Sequence, residues 1–192
     1  MNSNKIAFLD RDGVINYDYG YVHDPRDFSF QPRVFEGCKL LQDMGFRLII
    51  VTNQSGIGRG YYSTEQFNNL CKWMIRQFRN HGVSVLDIFF CPHHPTKGIG
   101  LFKCECPCRK PKPGMLIEAQ KKWIINMSES VMIGDKPSDM KAALSAKVGT
   151  RILVDTNGEN LPLIIPECTY TAKNLYDAAT LLINLKNNIK KP

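Results

Sequence analysis

The chain has 192 residues, 43% hydrophobic and 22% charged, proportions that exclude a disordered protein and suit a single globular domain over residues 1–192. No apolar run reaches the ~18–20 residues that cross a bilayer. Met1-Asn2-Ser3-Asn4-Lys5 leads directly into an apolar stretch, with no signal-peptide core, so a cytoplasmic location is expected. The net charge of +7 permits an anionic partner, but outside a small cluster (Lys186, Lys190, Lys191) the cations are scattered. That spread favours a small anion over a nucleic acid or a membrane surface.

Ile6-Ala7-Phe8-Leu9 predicts a buried strand of a parallel sheet, and Asp10-Arg11-Asp12-Gly13 follows it at once. In open α/β sheets ligands bind beyond the carboxyl ends of the strands. Alternation sends residues i and i+2 to the same side, so Asp10 and Asp12 can share one site. Two carboxylates that close repel unless a cation lies between them, and oxygen ligands suit Mg²⁺. Residues 14–32 form a long irregular stretch rich in Tyr, Asp and Pro, placed to wall such a site or else to form a small surface hairpin.

Residues 34–44 carry a helical apolar period stopped by Gly45, and residues 47–51 read as a second strand, ending in Thr52-Asn53-Gln54-Ser55-Gly56. Ser63 and Gln66 offer a capping box for a helix over about 65–80. A third strand is expected over 86–90, then a cysteine-rich loop over 91–108. Arg109-Lys110-Pro111 and a helix over about 115–123 come next. A fourth strand (130–133) ends in Gly134-Asp135-Lys136-Pro137-Ser138-Asp139, a short helix covers 140–146, and a fifth strand covers 151–154. Pro-bearing loops then lead to a last helix from about 172 to 187. Alternating strands and helices predict a doubly wound α/β fold, a mainly parallel sheet with helices on both faces.

Polar chemistry therefore stands at three strand ends, Asp10/Asp12, Thr52/Asn53 and Asp135, with Lys110 just before a helix. A turn or a cap explains any one of these; their joint occurrence points to one site. In the cysteine loop, Cys91-x-His93 and Cys106-x-Cys108 form two short chelating pairs, the donor set of a closed structural zinc site. On spacing alone His94 can replace His93, and Cys104 can replace Cys106.

With these motifs in view, the chain resembles the haloacid dehalogenase superfamily of phosphatases. Asp10-Arg11-Asp12-Gly13 resembles its first motif, Thr52 its second, Lys110 its third and the 134–139 segment its fourth. Within the superfamily, Gly20-Tyr21-Val22, Thr52-Asn53-Gln54-Ser55-Gly56-Ile57, Cys91-Pro92-His93-His94-Pro95 and Cys108-Arg109-Lys110-Pro111 are similar to the histidinol-phosphate phosphatase-like group. They are most similar to its heptose 1,7-bisphosphate branch. The resemblance implies a Rossmann-like fold with no large cap domain, because both intervals that would hold one are short. It also implies an Mg²⁺-dependent phosphatase that removes the C7 phosphate through an aspartyl-phosphate, in the making of activated heptose for surface glycans or lipopolysaccharide.

Carried over residue by residue, Asp10 is the expected nucleophile, Asp12 the acid/base, and Thr52 and Lys110 the phosphoryl-stabilising groups. Asp10, Asp12 (through its backbone carbonyl) and Asp135 are the expected Mg²⁺ ligands, with Asp139 behind them. Zn²⁺ is expected on Cys91, His93, Cys106 and Cys108, leaving Cys104 as an extra thiol. Substrate contacts are expected from Asp18, Tyr19, Gly20, Tyr21, Thr52, Asn53, Gln54, Ser55, Arg109, Lys110 and Lys136. The expected partner is a small phosphorylated sugar, met by a monomer with an open site, without nucleic acid or membrane. Histidinol phosphate is the alternative substrate. A zinc-stabilised nucleic-acid module is a third reading, which would need a basic stripe with aromatic platforms that the chain does not show.

Overall fold

Ile6, Ala7, Phe8 and Leu9 are all fully buried and form strand β1 (Ile6–Leu9). A strand apolar on both faces needs cover on both sides. The computed structural model, which describes residues 4–155 and 166–189, shows that arrangement. The further strands are β2 (Arg47–Asn53), β3 (Val85–Cys91), β4 (Val131–Gly134), β5 (Thr150–Val154) and β6 (Tyr170–Ala172). Their order across the sheet is β3-β2-β1-β4-β5-β6, and every pairing is parallel. The helices are α1 (Val34–Asp43), α2 (Ser55–Gly58), α3 (Thr64–Asn80), α4 (Gly114–Trp123), α5 (Pro137–Ser145) and α6 (Leu175–Ile189).

Strand alternation divides the core in two. Ala7, Leu9, Leu48, Ile50 and Ile133 pack with Cys38, Leu41, Leu70, Phe78 and Ala178, which come from α1, α3 and α6. Ile6, Phe8, Ile49, Val51 and Met132 face the other way, onto Met115, Leu116, Met140 and Ala143 of α4 and α5. The chain runs from β1 outward through β2 and β3, then returns to place β4 on the far side of β1. That reversal opens a crevice at the carboxyl ends of β1 and β4, where doubly wound sheets bind ligands.

Local signals hold where they were strongest. Gly45, at φ +86°, follows α1, and Ser63 with Gln66 makes the reciprocal capping box that starts α3. The intervals between β1 and β2 and between β2 and β3 hold α1 and the α2–α3 pair, and no cap domain is inserted in either.

The C-terminal expectation needs correction. Tyr170–Ala172 is a sixth strand, paired with β5 from Ile152↔Tyr170 onward, and α6 starts only at Leu175. Three residues are too few for a period-2 pattern to register. The four-residue α2 escaped for the same reason. Residues 14–32 form no hairpin; they hold two isolated bridges, Asp12↔Asn16 and Asn16↔Phe30, and a short 3-10 turn, Pro25–Asp27. The Pro-bearing segment 156–165 and the lysines at 190 and 191 lie outside the described residues. Among the described residues no helix is long and apolar enough to cross a membrane.

Candidate active site

The crevice holds a cavity of about 570 Å³ lined by Asp10 and Asp12 after β1, Thr52 and Asn53 of β2, and Arg109 and Lys110 before α4. Lys136, from the β4–α5 connection, and Asp139, in the first turn of α5, complete the polar wall, with Ser138 beside them. The four expected catalytic side chains thus converge from two strand ends and the loop that precedes α4.

Asp10 is only 5% exposed. Its Oδ1 accepts from the backbone N–H of Arg11 and from Lys110 Nζ, each at 2.8 Å, leaving Oδ2 as the oxygen with electron pairs to offer. Lys110 Nζ also donates to the Val51 carbonyl at 2.8 Å and lies 2.6 Å from Asp139 Oδ1. Burial pushes the Lys110 ammonium down, but the Asp10 and Asp139 charges outweigh it, so its pKa stands above the usual value. Asn53 places this lysine: its side chain accepts from Lys110 N–H at 3.1 Å and donates to the Lys110 carbonyl at 3.0 Å. Asn53, expected to touch substrate, lines the cavity, and its amide also forms a reciprocal clamp on the Lys110 backbone.

The Asp12 carboxylate is held by three donors. Arg11 Nη2 reaches its two oxygens at 2.6 and 2.7 Å, and Asn16 Nδ2 and Gln54 Nε2 each approach to 3.0 Å. Arg11 is fully buried and also donates to the Val22 carbonyl, so one guanidinium joins Asp12 to the wall loop. Neither Arg11 nor Asn16 was expected at the site. An arginine between two motif aspartates reads locally as a solvated side chain, and only the fold turns it inward.

Asp10, Asp135 and Asp139 bring carboxylate oxygens within 4.8 Å of one another. Burial pushes the Asp135 carboxyl up to about 8, with the Asp10 charge adding to the effect, and burial raises Asp10 in the same direction. Asp135 Oδ1 is buried without a hydrogen-bond partner. Gly13, at φ +89°, leaves the space: a Cβ there would sit 2.2 Å from Asp135 Oδ2. Crowded carboxylates, one oxygen orphaned, beside a position that only glycine keeps open, fit a hard divalent cation such as Mg²⁺. The Asp12 side chain is committed to its three donors, which agrees with a backbone-only role toward the metal. The Asp139 carboxylate stands closer in than expected, paired with Lys110.

The wall loop is tied at two points. Asp18 accepts from Lys136 Nζ at 3.0 Å; burial pushes Asp18 up, but the lysine outweighs it and holds its pKa below the usual range. Tyr21, at φ +55°, receives a hydrogen bond from Arg59 on its hydroxyl and packs edge-on against Tyr61. Asp18, Gly20 and Tyr21 line the cavity together with Gln54 and Ser55. Tyr19 does not: it stacks on Tyr17, is 65% exposed and faces an outer groove. That groove shares Gly20 and Tyr21 with the cavity, so Tyr19 stands beside the site and not in its lining.

At the end of β3, Cys91 Sγ lies 3.4 Å from Cys106 Sγ, 3.0 Å from Cys108 Sγ and 3.6 Å from His93 Nδ1. Three thiols and one imidazole at that mutual spacing fit a closed tetrahedral metal site. The geometry resolves both ambiguities of spacing. His94 Nδ1 instead accepts from the backbone N–H of Lys97 at 3.0 Å, and Cys104 is not among the four clustered donors. From this knot Arg109 Nη1 donates back to the His93 carbonyl at 3.2 Å, and Lys110 follows into the cavity.

Comparison with known proteins places this geometry among phosphatases. A model of the HAD-hydrolase-like family matches residues 107–178. The chain is 56% identical over 150 residues to D-glycero-beta-D-manno-heptose-1,7-bisphosphate 7-phosphatase of Vibrio cholerae, covering 78% of this chain and 81% of that one. It is 50% identical over 149 residues to the protein of the same name from Yersinia pestis, covering 78% and 79%. The solved structure of D,D-heptose 1,7-bisphosphate phosphatase from B. bronchiseptica, complexed with magnesium and phosphate, superposes with a TM-score of 0.79. It is 29% identical and covers 94% of this chain and 99% of that one.

Proposed function

The chain belongs to the heptose-1,7-bisphosphate 7-phosphatase family of HAD-like hydrolases, and from that premise we propose that it removes the C7 phosphate of D-glycero-D-manno-heptose 1,7-bisphosphate through a phosphorylated Asp10. The observation that carries the proposal is the meeting of Asp10, Asp12, Thr52 and Lys110 at one cavity, beside a carboxylate cluster fit for Mg²⁺.

Asp10 attacks phosphorus, and the bond from phosphorus to the sugar oxygen breaks as the new bond to the carboxylate forms. Asp12 gives a proton to the departing sugar oxygen. It then takes one from the water that attacks phosphorus and frees Asp10, leaving inorganic phosphate and heptose 1-phosphate. Lys110 and the Thr52 hydroxyl stabilise the charge that develops on the phosphoryl oxygens. Mg²⁺, held by Asp10, the Asp12 backbone carbonyl and Asp135, would offset the repulsion between nucleophile and phosphate.

Arg109, whose guanidinium fork spends one nitrogen on the His93 carbonyl, meets the second anionic end of the sugar. Zinc on Cys91, His93, Cys106 and Cys108 pins the loop that aims Arg109 and Lys110. Phosphate release from both anomers of heptose 1,7-bisphosphate, from fructose bisphosphate and from histidinol phosphate tests the reading as kcat/KM. The heptose substrates are expected to lead by at least about tenfold, a margin that recognition of a second charged group supplies. A preference for histidinol phosphate would overturn it.

A further inference from the structure

Gln54 was expected to contact substrate; both of its amide hydrogens and its oxygen are engaged within the protein. The residue is 2% exposed. Nε2 donates to Asp12 Oδ2 at 3.0 Å and to Thr52 Oγ1 at 2.8 Å, which uses both of its hydrogens. Oε1 accepts from the Tyr62 hydroxyl at 2.6 Å. Its backbone N–H is also taken, by the Cys91 carbonyl at 2.7 Å.

We infer that Gln54 is a positioning residue, whose amide, oriented by the Tyr62 hydroxyl, pins the Asp12 carboxylate and turns the Thr52 hydroxyl proton toward the phosphoryl group. The argument is one of donor and acceptor counting. In the resting protein Asp12 is a carboxylate paired with Arg11 and only accepts, so the amide presents nitrogen to Asp12 and therefore oxygen to Tyr62. Burial raises the Tyr62 pKa, which keeps the phenol protonated and able to donate. Thr52 Oγ1 has a single hydrogen. With Gln54 already donating to that oxygen, the hydroxyl is freed to donate into the cavity that Thr52 lines.

The surroundings hold this relay in place. Tyr62 is 5% exposed, stacks on His23 at 4.8 Å between ring centroids and packs with Ile57 and Phe67. A Cβ on Gly56 would meet Tyr62 Cε1 at 2.2 Å, so a glycine is what lets the ring lie against this turn. A buried amide with all of its groups paired is costly to reorient. The acid/base group and the phosphoryl donor are thereby set by one side chain that touches neither substrate nor metal.

The inference rests on the phosphatase reading, so steady-state kinetics should be run with heptose 1,7-bisphosphate and with p-nitrophenyl phosphate, which needs no sugar recognition. If wild-type protein turns over only the aryl phosphate, the substrate assignment falls while the positioning role is still tested. Gln54→Met keeps the shape and removes the hydrogen bonds. It is expected to lower kcat about 30-fold on either substrate with KM within about twofold, because the lost interactions act on the chemical step. Tyr62→Phe removes one oxygen and is expected to lower kcat about threefold, while costing nothing further in the Gln54→Met background. Should Gln54→Met fail to fold, the kcat and KM of Tyr62→Phe decide alone. A rise in KM at unchanged kcat for either variant, or losses that add in the double variant, would overturn the role.

Discussion

Lys110 Nζ lies 2.8 Å from Asp10 Oδ1 across 100 residues of sequence, with both side chains buried. The same ammonium stands 2.6 Å from Asp139 Oδ1, so one cation offsets two carboxylates in a low-dielectric crevice. Removing it leaves Asp10 and Asp139 without their ion-pair partner, with Lys136, 3.4 Å from Asp135, as the cation that stays nearby. Lys110→Met is therefore expected to destabilise the metal-free protein by about 3 kcal/mol, the cost of breaking a buried pair. Added Mg²⁺ should recover part of that loss, because it compensates the same carboxylates. Thermal unfolding with and without Mg²⁺ checks both statements, and a variant as stable as wild type without metal would refute them.

The division of labour between the motif aspartates predicts different failures. Asp10→Asn should lose well over ~10²-fold in kcat, because no other group can form the acyl phosphate. Asp12→Asn should also be slow, yet should accumulate phosphorylated Asp10 when fed an activated aryl phosphate, since that leaving group needs no acid while hydrolysis still needs a base. Intact-mass measurement detects the adduct. Appreciable turnover by purified Asp10→Asn would sink the assignment.

The thiol knot makes a claim about metal content. Protein purified without chelator should carry about one zinc per chain. Cys106→Ser should lower zinc content and Tm together. It should also depress activity, because the loop from His93 to Lys110 loses its anchor. Full activity in zinc-free protein would separate the loop from catalysis.

The remaining cysteines differ in their surroundings and should differ in reactivity. Burial pushes the Cys71 thiol up to about 12 and raises Cys38 further still. With a pKa near 12, about one Cys71 in 10⁴ is thiolate at pH 8, and the thiolate is the reactive form. Alkylation mapped by peptide mass at pH 8 should therefore spare Cys38 and Cys71 in folded protein. Modification of Cys71 should increase only as the pH climbs towards 12. The half-buried Cys104 should be labelled with zinc still in place, whereas Cys91, Cys106 and Cys108 should be labelled only after chelation. Early labelling of Cys71 would contradict the packing around α3.

Much of this site is legible along the chain because its chemistry sits where apolar runs stop. Ile6-Ala7-Phe8-Leu9 before Asp10, Leu48-Ile49-Ile50-Val51 before Thr52 and Val131-Met132-Ile133 before Asp135 mark strand ends, and parallel strands place their carboxyl ends on one edge. The parts that were missed have no such local marker. Tyr62 reads as an ordinary residue ahead of a helix, and Asn53 as one more polar group after a strand. β6 is shorter than the period that would reveal it.

The sequence by itself determined the class of fold, the edge of the sheet that carries chemistry and the residue types gathered there, because periodicity and motif order are properties of neighbours along the chain. Only the tertiary structure decided that Tyr19 faces outward, and that Asn53 and Gln54 engage their amides with Lys110, Asp12 and Thr52. Those outcomes depend on hydrogen-bond partners brought together from distant strand ends. A side chain's spare donors can be counted only when its neighbours in space are known.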